Sequence, residues 1–195
     1  KTWGPEIVIA KPGFQCGGLT VDESSGDILA FVEDRHPPAP LRVFRSTDDG
    51  KSWKKIEVKI HPDSKGNAPS MHMNEHGITL RHGQHKGRLI RPARFYAGKN
   101  DRSKWPQHYT NAIYSDDGGK TWTAPKRTGI SNISCPLSGI CLNSGNILCV
   151  YNRRDFPAGV RAALSYDRGE SWDVANEKIL RDDVLPSSYI GGPGS

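Results

Sequence analysis

Apolar and polar residues alternate along most of this chain in short runs, the period of a strand with one buried face. The clearest runs are GGLTVD (17–22), GDILAFVEDR (26–35) and LRVFRS (41–46). The same succession returns as HGITLR (76–81), GRLIRPARF (87–95) and TNAIYS (110–115). It returns again as SGICLN (138–143), GNILCVYNRR (145–154) and VRAALS (160–165). Each unit reads as short strand, longer strand, strand, turn, strand. The pattern predicts an all-β chain.

The turn in each unit is an octet: STDDGKSW (46–53), SDDGGKTW (115–122) and SYDRGESW (165–172), all of the form S-x-D-x-G-x-[ST]-W. Ser46, Ser115 and Ser165 open the octets. Asp48, Asp117 and Asp167 can accept hydrogen bonds from turn amides, as in Asx-turns. Gly50, Gly119 and Gly169 stand where a positive φ is cheap. Trp53, Trp122 and Trp172 can fold their rings back across the hairpin while the indole N–H finds a partner. The opening KTW repeats the end of an octet, so tryptophans 3, 53, 122 and 172 are spaced 50, 69 and 50 residues apart. Repeats of that length form propellers or arrays, and four antiparallel strands make one propeller blade. The expected organisation is a single partial propeller domain, 1–195, with blade units 4–58, 59–127 and 128–181 and the start of a next blade at 182–195. The middle unit carries long insertions around 61–72 and 97–108, the kind of loop that often holds function.

The octets are similar to Asp-boxes, also called BNR repeats, and the chain resembles the sialidase (neuraminidase) superfamily of six-bladed β-propellers over nearly its whole length. His76-Gly77-Ile78-Thr79-Leu80 resembles that family's G-H-G-I-x-L strand, and Tyr114 to Trp122 its most typical box. Asn146-Ile147-Leu148 followed by Asn152-Arg153 resembles its second-strand motif. The resemblance implies a sialidase-type propeller with about three of an expected six blades present, and so an internal piece of a larger protein. It implies part of an exo-glycosidase that removes terminal, acidic, sialic-acid-like sugars from glycans, in a secreted or periplasmic protein. Asp-boxes also occur in carbohydrate- or protein-binding propellers without catalysis and in polysaccharide lyases, so those classes stay open.

Family sialidases use a tyrosine nucleophile, a glutamate that activates it, an aspartate acid/base and three arginines that clamp the sugar carboxylate. Only Arg153 lands on such a position, that of the second clamp arginine, with Arg154 as its substitute if the alignment slips by one. The first arginine and the aspartate belong to a blade before Lys1. The third arginine and the tyrosine belong beyond Ser195. Where the glutamate belongs, the chain reads Ser134-Cys135-Pro136. The piece alone is therefore expected to be inactive.

The residues themselves suggest more. Arg35, Arg94 and Arg153 lie at the ends of the second strands, positions expected to circle the axis at one face and to suit anionic groups. The loop MHMNEH precedes the first strand of the middle blade, on the side where the resembled family places active-site loops, so His72, Glu75 and His76 could face a sugar, with Glu75 as a general acid or base, or could bond neighbouring backbone instead. Tyr96, Trp105, His108 and Tyr109 flank the second insertion and could stack on sugar faces or pack the loop.

Charge and composition narrow the partners. A net charge of +6 favours an anionic partner such as an acidic glycan. The basic residues are scattered without an RNP, zinc-finger or basic-helix pattern, so no nucleic acid is expected. No apolar run is long enough for a membrane span. HMNEH matches an H-x-x-E-H zinc pattern, but Pro69 and Gly77 bracket it and GITLR alternates like a strand, so it lacks the helix that pattern needs. Cys16, Cys135, Cys141 and Cys149 contain no C-x-x-C pair. No metal and no cofactor are expected. A half ring leaves strand edges open, and a homodimer completing the ring is the expected remedy.

Overall fold

The computed structural model of the chain describes residues 4–36, 39–71, 76–95, 104, 107–131, 137–153 and 157–182. Among them the regular structure is β, apart from 3₁₀ residues at Lys104 and Gln107. Three sheets of four antiparallel strands form in chain order. Blade 1 comprises β1 (Gln15–Val21), β2 (Ile28–Glu33), β3 (Leu41–Ser46) and β4 (Lys54–Ile56). The short β5 (Lys59–Ile60) follows. Blade 2 comprises β6 (Ile78–Thr79), β7 (Leu89–Phe95), β8 (Tyr109–Ser115) and β10 (Lys126–Ser131), with β9 (Thr121–Trp122) between the last two. Blade 3 comprises β11 (Leu137–Cys141), β12 (Ile147–Arg153), β13 (Gly159–Ser165) and β14 (Lys178–Arg181). The chain is an all-β protein of four-stranded antiparallel blades, as its alternation predicts.

The octets close the third-to-fourth-strand turns by one repeated set of bonds. In the first, Ser46 Oγ donates to Asp48 Oδ1 at 2.8 Å and accepts from Gly50 N at 2.9 Å. Asp48 Oδ1 also accepts from Ser52 N at 2.9 Å, and Gly50 O accepts the Trp53 indole N–H at 3.0 Å. Ser115, Asp117, Gly119, Thr121 and Trp122 repeat all of this in the second turn. The third repeats the serine and aspartate bonds through Ser165, Asp167, Gly169 and Ser171, but the Trp172 indole N–H is buried and finds no acceptor among the described residues. The box glycines take φ of +81, +82 and +91°, the left-handed region that glycine enters at no steric cost.

The blades stack side by side through their faces. Leu29 and Phe31 of β2 meet Leu89 and Ala93 of β7, Ile113 of β8 and the fully buried Trp122. Trp122 and Phe31 pack edge to face with centroids 5.4 Å apart. Between blades 2 and 3, Ile90 and Ala112 pack on Ile147, and Ile130 on Cys149, Tyr151 and Ala163. The outer face of blade 1, Ala30, Val32 and Phe44, is covered by Ile9 and Ala10 of the segment before β1.

The innermost strands run close together. Gly77 N donates to Leu19 O at 3.1 Å, and Thr20 and Gly77 form a parallel bridge. A β-carbon on Gly77 would overlap Thr20 Oγ1, so this position has room only for glycine. β6 lies against both β1 and β11, which sets the three first strands around a common axis. A second tie joins blades 1 and 2 where β5 pairs parallel with β9.

Candidate functional site

Pairing to the boxes fixes which second-strand residues are equivalent. Ile28 pairs with Ser46, Leu89 with Ser115 and Ile147 with Ser165. Counting on, Glu33, Arg94 and Asn152 share one register position. Arg153 lies one residue beyond it and Arg35 two. The three strand-end arginines are therefore staggered rather than equivalent, and a one-residue stagger turns a side chain to the opposite face.

That alternation still brings two of them to one boundary. In β7, Ile90 and Pro92 line the small cavity between blades 2 and 3, and Arg94 continues that face. In β12, Ile147 and Cys149 line the same cavity from the other side, and Tyr151 and Arg153 continue that face. By parity Arg94 and Arg153 belong to the strand faces that line this boundary, although the Arg94 charge also acts on Glu33 at the boundary before it. Arg94 is fully buried, while the Arg153 side chain keeps 28% of its exposure and can meet a solute. Arg35 is exposed and pairs with its neighbour Asp34 at 3.5 Å. His76 is exposed at the edge of the same small cavity. His72, Glu75 and Arg154 lie outside the described residues.

Arg153 sits in a cluster that no sequence motif announced. Its Nη1 lies 3.5 Å from Glu177 Oε1, and Arg161 Nε lies 3.6 Å from the same oxygen. The Tyr151 hydroxyl donates to Glu177 Oε2. Arg161 is buried and satisfies the carbonyls of Pro157 and Arg181 at 3.1 and 3.0 Å. Burial first, then the bond to Glu177, raise the Tyr151 phenol above its ordinary range. Burial alone pushes the Cys149 thiol up to about 12, which leaves it inert. Glu177 follows the third box by sequence but reaches back across the blade, so only the folded pairing of β13 with β14 reveals it.

A second acid stands at the blade 1–blade 2 boundary. Glu33 is 2% exposed; its Oε1 accepts from Ser70 Oγ at 2.8 Å and Met71 N at 3.2 Å. Burial raises its pKa, against the opposing pull of those two bonds and of the Arg94 charge. Nearby, the fully buried Arg91 lies over the Phe31 ring at 4.3 Å and donates to Thr20 Oγ1 at 2.7 Å and Gly18 O at 3.1 Å. The signal for both was a charged residue on the inward parity of an apolar run. Among the described residues no cluster of histidine, cysteine and acid side chains could hold a metal. None of their helices is long and apolar enough to cross a membrane.

Comparison with known proteins agrees with this frame. The BNR/Asp-box repeat family matches residues 113–124. A sialidase of Micromonospora viridifaciens is 30% identical over an alignment covering 97% of this chain and 32% of that protein. The chain thus spans about a third of that relative's length. Among solved structures, a protein of unknown function from Dyadobacter fermentans superposes with TM-score 0.63 at 20% identity, over 95% of this chain and 50% of the other. A Hadza microbial sialidase gives TM-score 0.53 at 19% identity, over 80% of this chain and 32% of its own. At such identities these structures speak for the fold.

Proposed function

We propose that this chain, which has the Asp-box fold of the sialidase superfamily, is part of a sialidase-like exo-glycosidase acting on terminal acidic sugars. The observation that carries the reading is Arg153. It is a partly exposed guanidinium at the end of a second strand, on the strand face that lines the cavity between blades 2 and 3. A guanidinium can take a carboxylate by two parallel hydrogen bonds, and Glu177 restrains this one by charge, limiting the entropy lost on binding. The substrate class follows from that chemistry and from the net charge of +6.

Calorimetry of the chain with N-acetylneuraminic acid tests the site. Arg153→Ala is expected to weaken binding about tenfold or more, the loss of a charge-assisted pair. Equal affinity for the two proteins would remove Arg153 from the site. A second reading, a propeller that binds glycans without cleaving them, is favoured by Ser134-Cys135-Pro136 standing where the resembled glutamate belongs. Turnover of a fluorogenic sialoside by the longest natural form of the protein would exclude it.

A further inference from the structure

The boundary between blades 1 and 2 opens into a cleft of ≈ 570 Å³, within the range of about 300–1,000 Å³ that holds small ligands. It is separate from the arginine boundary one blade further on. Its wall is apolar: Leu41 from β3, Val58 and Ile60 around β5, and Phe95 at the end of β7. Phe95 is held in place by stacking on Tyr109, with centroids 5.0 Å apart and planes inclined by 16°. Asn67 and Ser70 add polar groups, and the buried Glu33 is among the residues that line the cleft. One oxygen of that acid is satisfied. The other, Oε2, is buried and has no hydrogen-bond partner among the described residues. A buried acceptor left without a donor is costly, which makes it a place where a ligand that brings a donor gains affinity.

We propose that this cleft binds a neutral sugar residue, with one face of the ring on the Leu41, Val58, Ile60 and Phe95 wall and a hydroxyl donating to Glu33 Oε2. A pyranose presents a C–H face to an apolar wall and hydroxyl donors around its edge, which matches a site with this wall and this acceptor. An acidic sugar matches less well, because its carboxylate would face Glu33 and no guanidinium is among the described residues that line the cleft. The choice of a sugar as occupant rests on the glycan-active reading above; the cleft and its unpartnered oxygen do not.

Lactose is the probe, and the methyl NMR signals of Leu41, Val58 and Ile60 are the reporters. Saturable shifts of these methyls on titration with lactose are expected. Ala68→Trp, at an exposed position on the cleft lining, is expected to abolish them without disturbing the fold. Glu33→Gln is expected to weaken lactose about tenfold by removing the charged acceptor. No saturable shift in the native chain, or the same shift in Ala68→Trp, overturns the proposal, and neither outcome depends on Glu33→Gln folding. Because lactose carries no acid, its result is independent of the N-acetylneuraminic acid titration at Arg153, and each reading can fail alone.

Discussion

Gly119, in the turn of the second box, sits where any β-carbon would overlap Leu29 Cδ1 of the preceding blade. Gly169 of the third box stands likewise against blade 2, with Ile90 Cδ1 2.8 Å from the place of its missing β-carbon. Gly50 of the first box meets only ordinary contacts, at 3.9 Å or more, among the described residues. Each later box is therefore fitted into the blade before it. Arg45 of β3 adds a bond to Gly118 O at 2.6 Å, and Arg88, paired with Asp116 of its own blade at 2.7 Å, reaches Glu170 at 3.4 Å across the next boundary.

Gly119→Ala is expected to be costlier than Gly50→Ala, although both backbones have φ near +80°. The shared backbone penalty is about 1 kcal/mol. The overlap with Leu29 adds about 1–3 kcal/mol more. Urea melts of the two variants would measure the difference; equal midpoints would mean that the box does not bear on blade 1.

Acid should attack the boxes in a defined window. The side-chain bond from Ser52, then its backbone N–H and Ser46, hold Asp48 down to about 2 from 3.8. For Asp117 and Asp167 burial pushes upward, but the bonds from the turn amides and hydroxyls win and both pKa values are lowered. A depressed carboxyl stabilises the fold above its unfolded pKa and loses that contribution as pH falls through the folded value. Stability is therefore expected to drop between roughly pH 4 and pH 2. Asp48→Asn should flatten this part of a urea-stability profile against pH, and an unchanged slope would contradict it.

Glu33 should act in the opposite sense. Its pKa is raised, chiefly by burial, so its protonated form contributes stability at and below its ordinary 4.5. That contribution is lost as pH rises through the raised value. Glu33→Gln is expected to remove the decline, so the variant gains on the native chain with rising pH. Parallel stability profiles for the two proteins would show that Glu33 titrates normally.

Arg91→Ala is expected to cost about 3 kcal/mol or more, since it opens a cavity beside Phe31 and leaves the Gly18 carbonyl without this donor. Arg91→Lys should fall between, keeping the charge but not the fork that reaches Gly18 and Thr20 together. Thermal melts would rank the three proteins; a fully stable Arg91→Ala would assign the residue no part in joining blades 1 and 2.

The strands and boxes were legible in the sequence because both are local. Alternation marks a half-buried strand, and one octet contains every partner of its own turn except the tryptophan's surroundings. The strand-end arginines were only half legible. Arg35, Arg94 and Arg153 look alike in sequence, yet the ladder places Glu33 and Asn152 opposite the same box registers as Arg94. A side chain's face depends on parity, and parity is set by pairing rather than by distance from a strand end. Glu177 and Tyr151 meet only after β14 folds onto β13, so no spacing could pair them. Glu75 and His72, named from the MHMNEH loop, lie outside the described residues.

The direction of the box contacts carries a consequence for biosynthesis. Leu29 and Arg45 precede Gly118 and Gly119 in the chain, and Ile90 precedes Gly169. During translation from the N-terminus, each socket leaves the ribosome before the turn that will fill it. A nascent blade can thus act as a template for its successor, with docking of each box waiting on synthesis rather than on a search through a finished polypeptide. Circular permutants that begin between blades would reverse this order for one boundary alone. Their refolding yield, compared with that of the natural order, would reveal how far the ring is assembled as it is made.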